Sequence, residues 1–305
     1  MQGRGTFVRS ERSPDERLSV TTTVSPKSPK PRRAELLAAL NGIPPFPPIA
    51  IKALQLVSND KTRLRELSKL ISTDASLSSE VLRIANSALY GHRVEVESVF
   101  RATISLGLER IKSVVVTSAL RHYIGRSLDI PWIRMCWRHS LACAVIAEEL
   151  ARGSSLEEDV AYTAGIIHDI GRFGLAVAFP QRCGKLLVDT HDACGDVLER
   201  ERECFGMDHC EAGQALMVRW AIPKNLVAVA AHHHDPPAEG DPEMLAVVRH
   251  ACRLADASGF AVMPSLPSRT YAELLADLPL QSAIPRDPEE LAFRITNKIA
   301  SIETP

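Results

Sequence analysis

Aspartate and histidine side chains recur on the apolar faces of segments with helical spacing, and no other feature restricts this chain so strongly. His139 shares a stripe with Ala142, Cys143, Ile146 and Leu150. His168 continues Val160, Ala164 and Ile167, with Asp169 beside it. His209 aligns with Ala212, Gly213, Leu216 and Trp220, and His233 with Leu226, Val229 and Ala230. Asp256 aligns with Leu245, Val248 and Cys252. Such faces point toward a core. A buried ionised carboxylate is costly unless something pairs with it. Two aspartates and several histidines meeting inside a helical bundle are explained economically by a metal, ligated through imidazole nitrogen and carboxylate oxygen. Any one of these histidines alone reads as an ordinary hydrogen-bonded core or surface residue. The set and its order carry the metal reading. His232 is the alternative to His233, because the pair lies at a helix end. His234, beside Asp235, is left out of the set.

Helix signals follow one another along the chain, and strand signals are scarce. Pro44-Pro45-Phe46-Pro47-Pro48 reads as a rigid turn whose second proline pair opens a helix. Ser98 is placed to cap a short helix ending near Gly107, and a longer one is expected over Leu108 to Ile124. Pro131 suits the first position of a helix running to about Gly153. Ser155-x-x-Glu158 and Asp208-x-x-Glu211 have the spacing of capping boxes. Pro223 and Asp241-Pro242 open further helices, and two more are expected near Tyr271–Ala276 and Pro288–Ser301. The fold expected is all-α, a two-lobed helical bundle. Its N-terminal lobe spans 34–126, its second lobe 127–262 and a helical extension 263–305. Residues 1–33, rich in Ser, Thr, Pro and Arg, read as a disordered basic tail, because they offer too little apolar surface to offset ordering entropy.

The formal net charge of −1 provides no global basic field, and no direct DNA-binding module is evident. No apolar run approaches the roughly 20 residues that span a bilayer. The seven cysteines form no CxxC pair, and without a secretory signal they read as reduced thiols in a cytoplasm.

The order His139, His168-Asp169, His209, His232-His233, Asp256 resembles the ligand order of the HD superfamily of metal-dependent phosphohydrolases. The phrase Ala164-Gly165-Ile166-Ile167-His168-Asp169-Ile170-Gly171 is similar to its adjacent His-Asp signature. Upstream stand Leu70-Ile71-Ser72-Thr73-Asp74-Ala75-Ser76-Leu77 and Val81-Leu82-Arg83-Ile84-Ala85-Asn86-Ser87-Ala88-Leu89-Tyr90, then Arg101-Ala102-Thr103-Ile104-Ser105-Leu106-Gly107. With Gly206-x-Asp208-His209, Gly213 and Trp220-Ala221-Ile222-Pro223, these resemble the HDOD family over about residues 35 to 260. The resemblance implies a helical lobe preceding an HD-like bundle, and a role in bacterial signal transduction.

Two functions follow as expectations. One is a regulatory protein acting on signalling proteins, or answering a nucleotide second messenger, with a divalent cation among His139, His168, Asp169, His209, His232, His233 and Asp256. One or two ions fit, and the sequence does not separate iron, manganese, zinc and magnesium. The other is a metal-dependent phosphohydrolase acting on a nucleotide or other phosphoester. There Asp169 would bridge two metals and orient a hydroxide, and Arg172 would hold substrate phosphate. Arg172 stands where related enzymes carry lysine, and it reads equally as a solvated charge in a turn. His232-His233-His234 is followed by Asp235-Pro236-Pro237 instead of Gly-Tyr-Pro, so cyclic-di-GMP hydrolysis is not expected.

Overall fold

The computed structural model describes residues 33–56, 61–86, 95–152, 154–183, 196–263, 269–278 and 283–303. The tail expected over 1–33 lies outside them, save Arg33, the first residue of a helix. The architecture is all-helical, with no strand among the described residues. The helices are α1 (Arg33–Gly42), α2 (Pro48–Gln55), α3 (Lys61–Ile71), α4 (Ala75–Ala85), α5 (Val99–Leu106) and α6 (Leu108–Ile124). A 3₁₀ turn, Gly125–Asp129, leads to α7 (Pro131–Ala151), α8 (Glu158–Ile167) and α9 (Ile170–Ala178). Then come α10 (Val197–Phe205), α11 (His209–Arg219), α12 (Lys224–His232), α13 (Glu243–Ala255), α14 (Tyr271–Ala276) and α15 (Pro288–Glu303).

Local chemistry sets the ends of these helices. Asp74 caps α4 by accepting from the Leu77 backbone N–H at 2.9 Å. Ser98 caps α5, and Gly107 (φ 81°) separates it from α6. Pro131 is the first residue of α7, where its missing N–H costs nothing. Asp208 accepts from Glu211 N–H at 2.8 Å, and the Glu211 carboxylate accepts from Asp208 N–H at 3.3 Å, closing the expected box. The box expected at Ser155 does not form. Ser155 instead donates its backbone N–H and its hydroxyl to Glu243, at the start of α13, and α8 begins uncapped by a side chain.

The core is one contiguous cluster running from Leu36 to Ile299. Its axis is α7, where Trp132, Trp137, Leu141, Ala144 and Ile146 are all buried. Helices α8 and α13 pack on α7, α6 packs on α8, and α1 crosses over to α9 and α11. An aromatic trio ties the early helices to the later ones. Phe46 stacks on Trp220 with ring centroids 5.6 Å apart, and Tyr123 meets Trp220 edge-on at 5.9 Å.

Two glycines set the helix spacing around the His-Asp turn. A Cβ at Gly165 would lie 2.7 Å from the Ala144 Cα, so α8 approaches α7 only without a side chain there. A Cβ at Gly171 would fall 1.9 Å from the His209 carbonyl oxygen and 2.6 Å from the Gly213 nitrogen. Backbone cannot yield as a flexible side chain does. Gly171→Ala is therefore expected to destabilise by about 3 kcal/mol or more, at or above the upper end of ordinary overpacking. Gly42→Ala, which meets nothing within 4 Å, is expected to leave stability within about 1 kcal/mol of the parent. Urea denaturation of the two variants checks the contrast, and equal losses would show that the α9–α11 contact is looser than described.

Candidate metal centre

Helix ends and faces bring four imidazoles to one carboxylate. His139 comes from the middle of α7, and His168 and Asp169 from the turn between α8 and α9. His209 is the first residue of α11, and His233 follows the last turn of α12. All five are at most 2% exposed. The Nε2 atoms of His139 and His168 each lie 3.6 Å from Asp169 Oδ2. Those of His209 and His233 lie 3.2 and 3.4 Å from Oδ1. One carboxylate thus carries a pair of imidazoles at each oxygen.

The other ring nitrogens are already committed. Nδ1 donates to the Phe260 carbonyl from His139 (3.0 Å) and to the Gly165 carbonyl from His168 (2.6 Å). In His233 it faces the Val229 and Ala230 carbonyls, both at 3.2 Å. In His209 it donates to Glu201 Oε2 at 2.5 Å. A carbonyl or carboxylate only accepts, so these contacts place the proton on Nδ1 and leave a lone pair on each Nε2. The His168, His209 and His233 lone pairs therefore face a carboxylate that also only accepts, while that of His139 also has the Cys143 and Cys252 thiols within reach. Nε2 of His168 and Oδ1 of Asp169 are buried with no hydrogen-bond partner. The His209 and His233 Nε2 atoms are 3.2 Å apart and make the same demand on each other. Buried acceptors facing acceptors need a proton or a cation between them. The donor set, with each imidazole oriented through its far nitrogen, fits a divalent cation.

A second layer holds the carboxylate. Arg172 is 3% exposed, with Nη1 2.5 Å from Asp169 Oδ2 and Nε 3.3 Å from Glu201 Oε1. Glu201, fully buried, also accepts from the His209 backbone N–H at 2.9 Å, at the start of α11. Burial pushes the Asp169 carboxyl up, but the Arg172 guanidinium and the His168 and His209 imidazoles outweigh it and hold it well below the usual range. Burial likewise opposes the ionised Glu201, and His209 and Arg172 hold it low. Burial disfavours the His139 imidazolium, but the Cys252 sulfur and the Asp256 and Asp169 carboxylates raise it to about 9. In His209, burial and Arg172 are overcome by Glu201, Cys210 and Asp169, which raise it to about 10.

The HDOD domain profile matches residues 43–236. The chain belongs to the HDOD family. A solved HDOD domain protein of unknown function from Geobacter sulfurreducens is 22% identical, with a TM-score of 0.62 over 88% of this chain and 96% of that one. A candidate phosphohydrolase from Shewanella amazonensis SB2B is 25% identical, with a TM-score of 0.64 over the same shares. A candidate signal-transduction protein from Marinobacter aquaeolei VT8 is 22% identical, with a TM-score of 0.61 over 89% of this chain and 63% of that one. An uncharacterised protein of Treponema pallidum (strain Nichols) is 23% identical over 208 residues, 67% of this chain. That match spans 40% of the Treponema protein's own length.

In this HDOD chain the expected set divides. His139, His168, Asp169, His209 and His233 come together. His232 does not: it points outward and pairs with Asp235 at 2.8 Å. Because α12 ends at His232, the chain turns there and carries His233 and His234 inward together. The His234 ring stands 4.9 Å from His209 and 4.4 Å from His233 between centroids, so the residue set aside in the sequence lies at the rim of the cluster. Asp256 lies on the far side of His139, 3.4 Å from Nδ1, with its side chain 40% exposed. One helical turn earlier, Cys252 takes the inward position, 3.5 Å from His139 Nε2. Arg172 does not face open space; Asp169 and Glu201 hold it. Glu201 escaped the sequence reading because Glu199-Arg200-Glu201-Arg202-Glu203 looks like a solvated run. Its signal was the stripe Val197, Glu201, Phe205, the same pattern that revealed the histidines.

Glu201→Ala leaves Arg172 and His209 Nδ1 short of a buried acceptor, and is expected to cost about 3–5 kcal/mol. Glu201→Gln keeps one acceptor and should cost less. Denaturant titration checks the order, and a neutral Glu201→Ala would show that the buried network contributes nothing. The metal-free protein should also lose stability as pH rises. His139 and His209 are raised above the ordinary value of about 6.5, so their contribution is complete below that pH and lost on passing about 9 to 10. Melting temperature against pH in a chelator checks the direction, and a rise over that window would contradict it.

Proposed function

We propose that this HDOD chain is a regulatory signal-transduction protein that acts by binding other proteins, with a divalent cation stiffening its helical bundle. The observation that carries the reading is closure. Every imidazole around Asp169 is buried, and the arginine that would have held a substrate phosphate is locked between Asp169 and Glu201. Hydrolysis requires a water and a phosphoester to reach the metal, whereas a stiffened scaffold requires neither. The Marinobacter neighbour, a candidate signal-transduction protein, shares the fold, and that analogy is the coarser ground for the regulatory reading.

One observation favours a second reading. A carboxylate with an imidazole pair at each oxygen is suited to bridge two cations, and the Shewanella neighbour is a candidate phosphohydrolase. When bound, such metals would supply an activated water and a clamp on phosphoryl oxygens. This chain's own part would be to orient Asp169 through Arg172 and the four rings through their Nδ1 contacts.

A direct test incubates the purified chain, loaded in turn with zinc, manganese and iron(II), with bis(p-nitrophenyl) phosphate and a panel of nucleotides. The regulatory reading expects background rates with every metal. Turnover that tracks metal content and disappears in Asp169→Asn would replace it with the hydrolase reading.

A further inference from the structure

Beside the histidines, the bundle buries two thiols. Cys143 stands one turn after His139 on α7, and Cys252 comes from α13. The nearest ligand atoms of His139, Cys143, His168 and Cys252 all lie within 4.8 Å of one another, and all four residues are buried. His139 Nε2 is 3.4 Å from Cys143 Sγ and 3.5 Å from Cys252 Sγ. A tetrahedral zinc with Zn–S of about 2.3 Å and Zn–N of about 2.0–2.1 Å separates its nitrogen and sulfur ligands by roughly 3.6 Å. These two separations match the nitrogen–sulfur edges of a tetrahedral site, and the remaining ones lie within 4.8 Å. The His168 Nε2 lone pair, buried and unpartnered, supplies the remaining corner.

We propose that Cys143, Cys252, His139 and His168 form a two-thiolate, two-imidazole site for a soft or borderline divalent cation such as zinc, joining α7, α13 and the turn after α8. The inference rests on the reading that the cluster binds a cation, and deepens it by naming the class. Thiolates select such ions over magnesium or manganese, which prefer oxygen. Four protein ligands complete the sphere and leave no position for a water, so the site is structural. Binding displaces the thiol protons of Cys143 and Cys252 to solvent, and both sulfurs ligate as thiolates. The sequence supports the assignment independently. His139-x-x-x-Cys143 sets two of the ligands on one helical face.

The test loads the reduced full-length chain with cobalt(II) and records its absorption spectrum. Near-ultraviolet thiolate-to-cobalt charge-transfer bands and intense tetrahedral visible bands are expected. Both should vanish on adding one equivalent of zinc and persist in excess magnesium. Cys252→Ser should weaken or abolish the charge-transfer bands, while Cys183→Ser, at a buried thiol elsewhere, should leave them intact. Bound cobalt that shows no thiolate bands overturns this site and leaves the histidine–aspartate cation in place. Failure to bind any of zinc, cobalt, manganese or iron(II) overturns both. The wild-type spectrum requires no variant, so a variant that does not fold leaves the test standing.

Discussion

A carboxylate with no access to water stays ionised only if its surroundings supply positive charge, and Asp169 imposes that condition on the bundle. Arg172 meets it in part, one helical turn away on α9. The remainder must come from whatever occupies the space between Oδ1, Oδ2 and four inward Nε2 atoms. Several structural choices serve this demand. Glu201 balances Arg172 and orients His209. The Phe260 carbonyl orients His139, and the Gly165 carbonyl orients His168. Gly165 lets α8 approach α7, and Gly171 lets α9 approach α11, closely enough for the rings to meet. Glu201 and Phe260 lie far from Asp169 in sequence, and their relation to the site exists only in the fold.

The parts legible in the sequence were those written in local periodicity. Helical stripes named the faces that are buried, so His139, His168, Asp169, His209 and His233 were found without any contact information. Prolines and capping residues located α2, α7 and α11 closely. The all-helical class followed from the same signals. What periodicity does not encode is phase at a helix end. His232 and Asp256 occupy such ends, and a turn of the chain decides which neighbour faces inward. At α12 the turn selected His233 and His234. At α13, Cys252 holds the inward position that the stripe shared with Asp256.

Glu201, Cys143 and Cys252 were missed for a different reason. Each was visible, but its residue type suggested another role. A glutamate in an alternating charge run is usually solvated, and a cysteine on an apolar stripe is usually a small hydrophobe. Tertiary contact changes both meanings. Glu201 becomes the counterion that keeps a buried arginine and a histidine in place, and the Cys143 and Cys252 sulfurs stand 3.4 and 3.5 Å from His139 Nε2.

The two ends of Asp169 are not equivalent, since the thiols proposed as ligands stand at one of them. Oδ2 already carries the Arg172 guanidinium, so a divalent cation held there by neutral imidazoles would lie beside a fixed positive charge. In a water-poor interior such repulsion is screened weakly. Two thiolates would cancel a divalent charge there, while Asp169 and Glu201 share the Arg172 guanidinium. The electrostatics of the metal-free site already lean this way. A hydrogen bond from Cys143, acting against burial, and the neighbouring His139 hold the Cys252 thiol well below its ordinary value. Burial and the neighbouring Cys252 sulfur raise Cys143. At Oδ1 the Arg172 guanidinium is felt as well, opposing the His209 imidazolium, and the His209 and His233 Nε2 atoms stand 3.2 Å apart. With the proposed site filled, α13 would be tied to α7 through an ion as well as through side-chain packing. Occupancy of the proposed site would then add to how firmly α13 holds to the bundle.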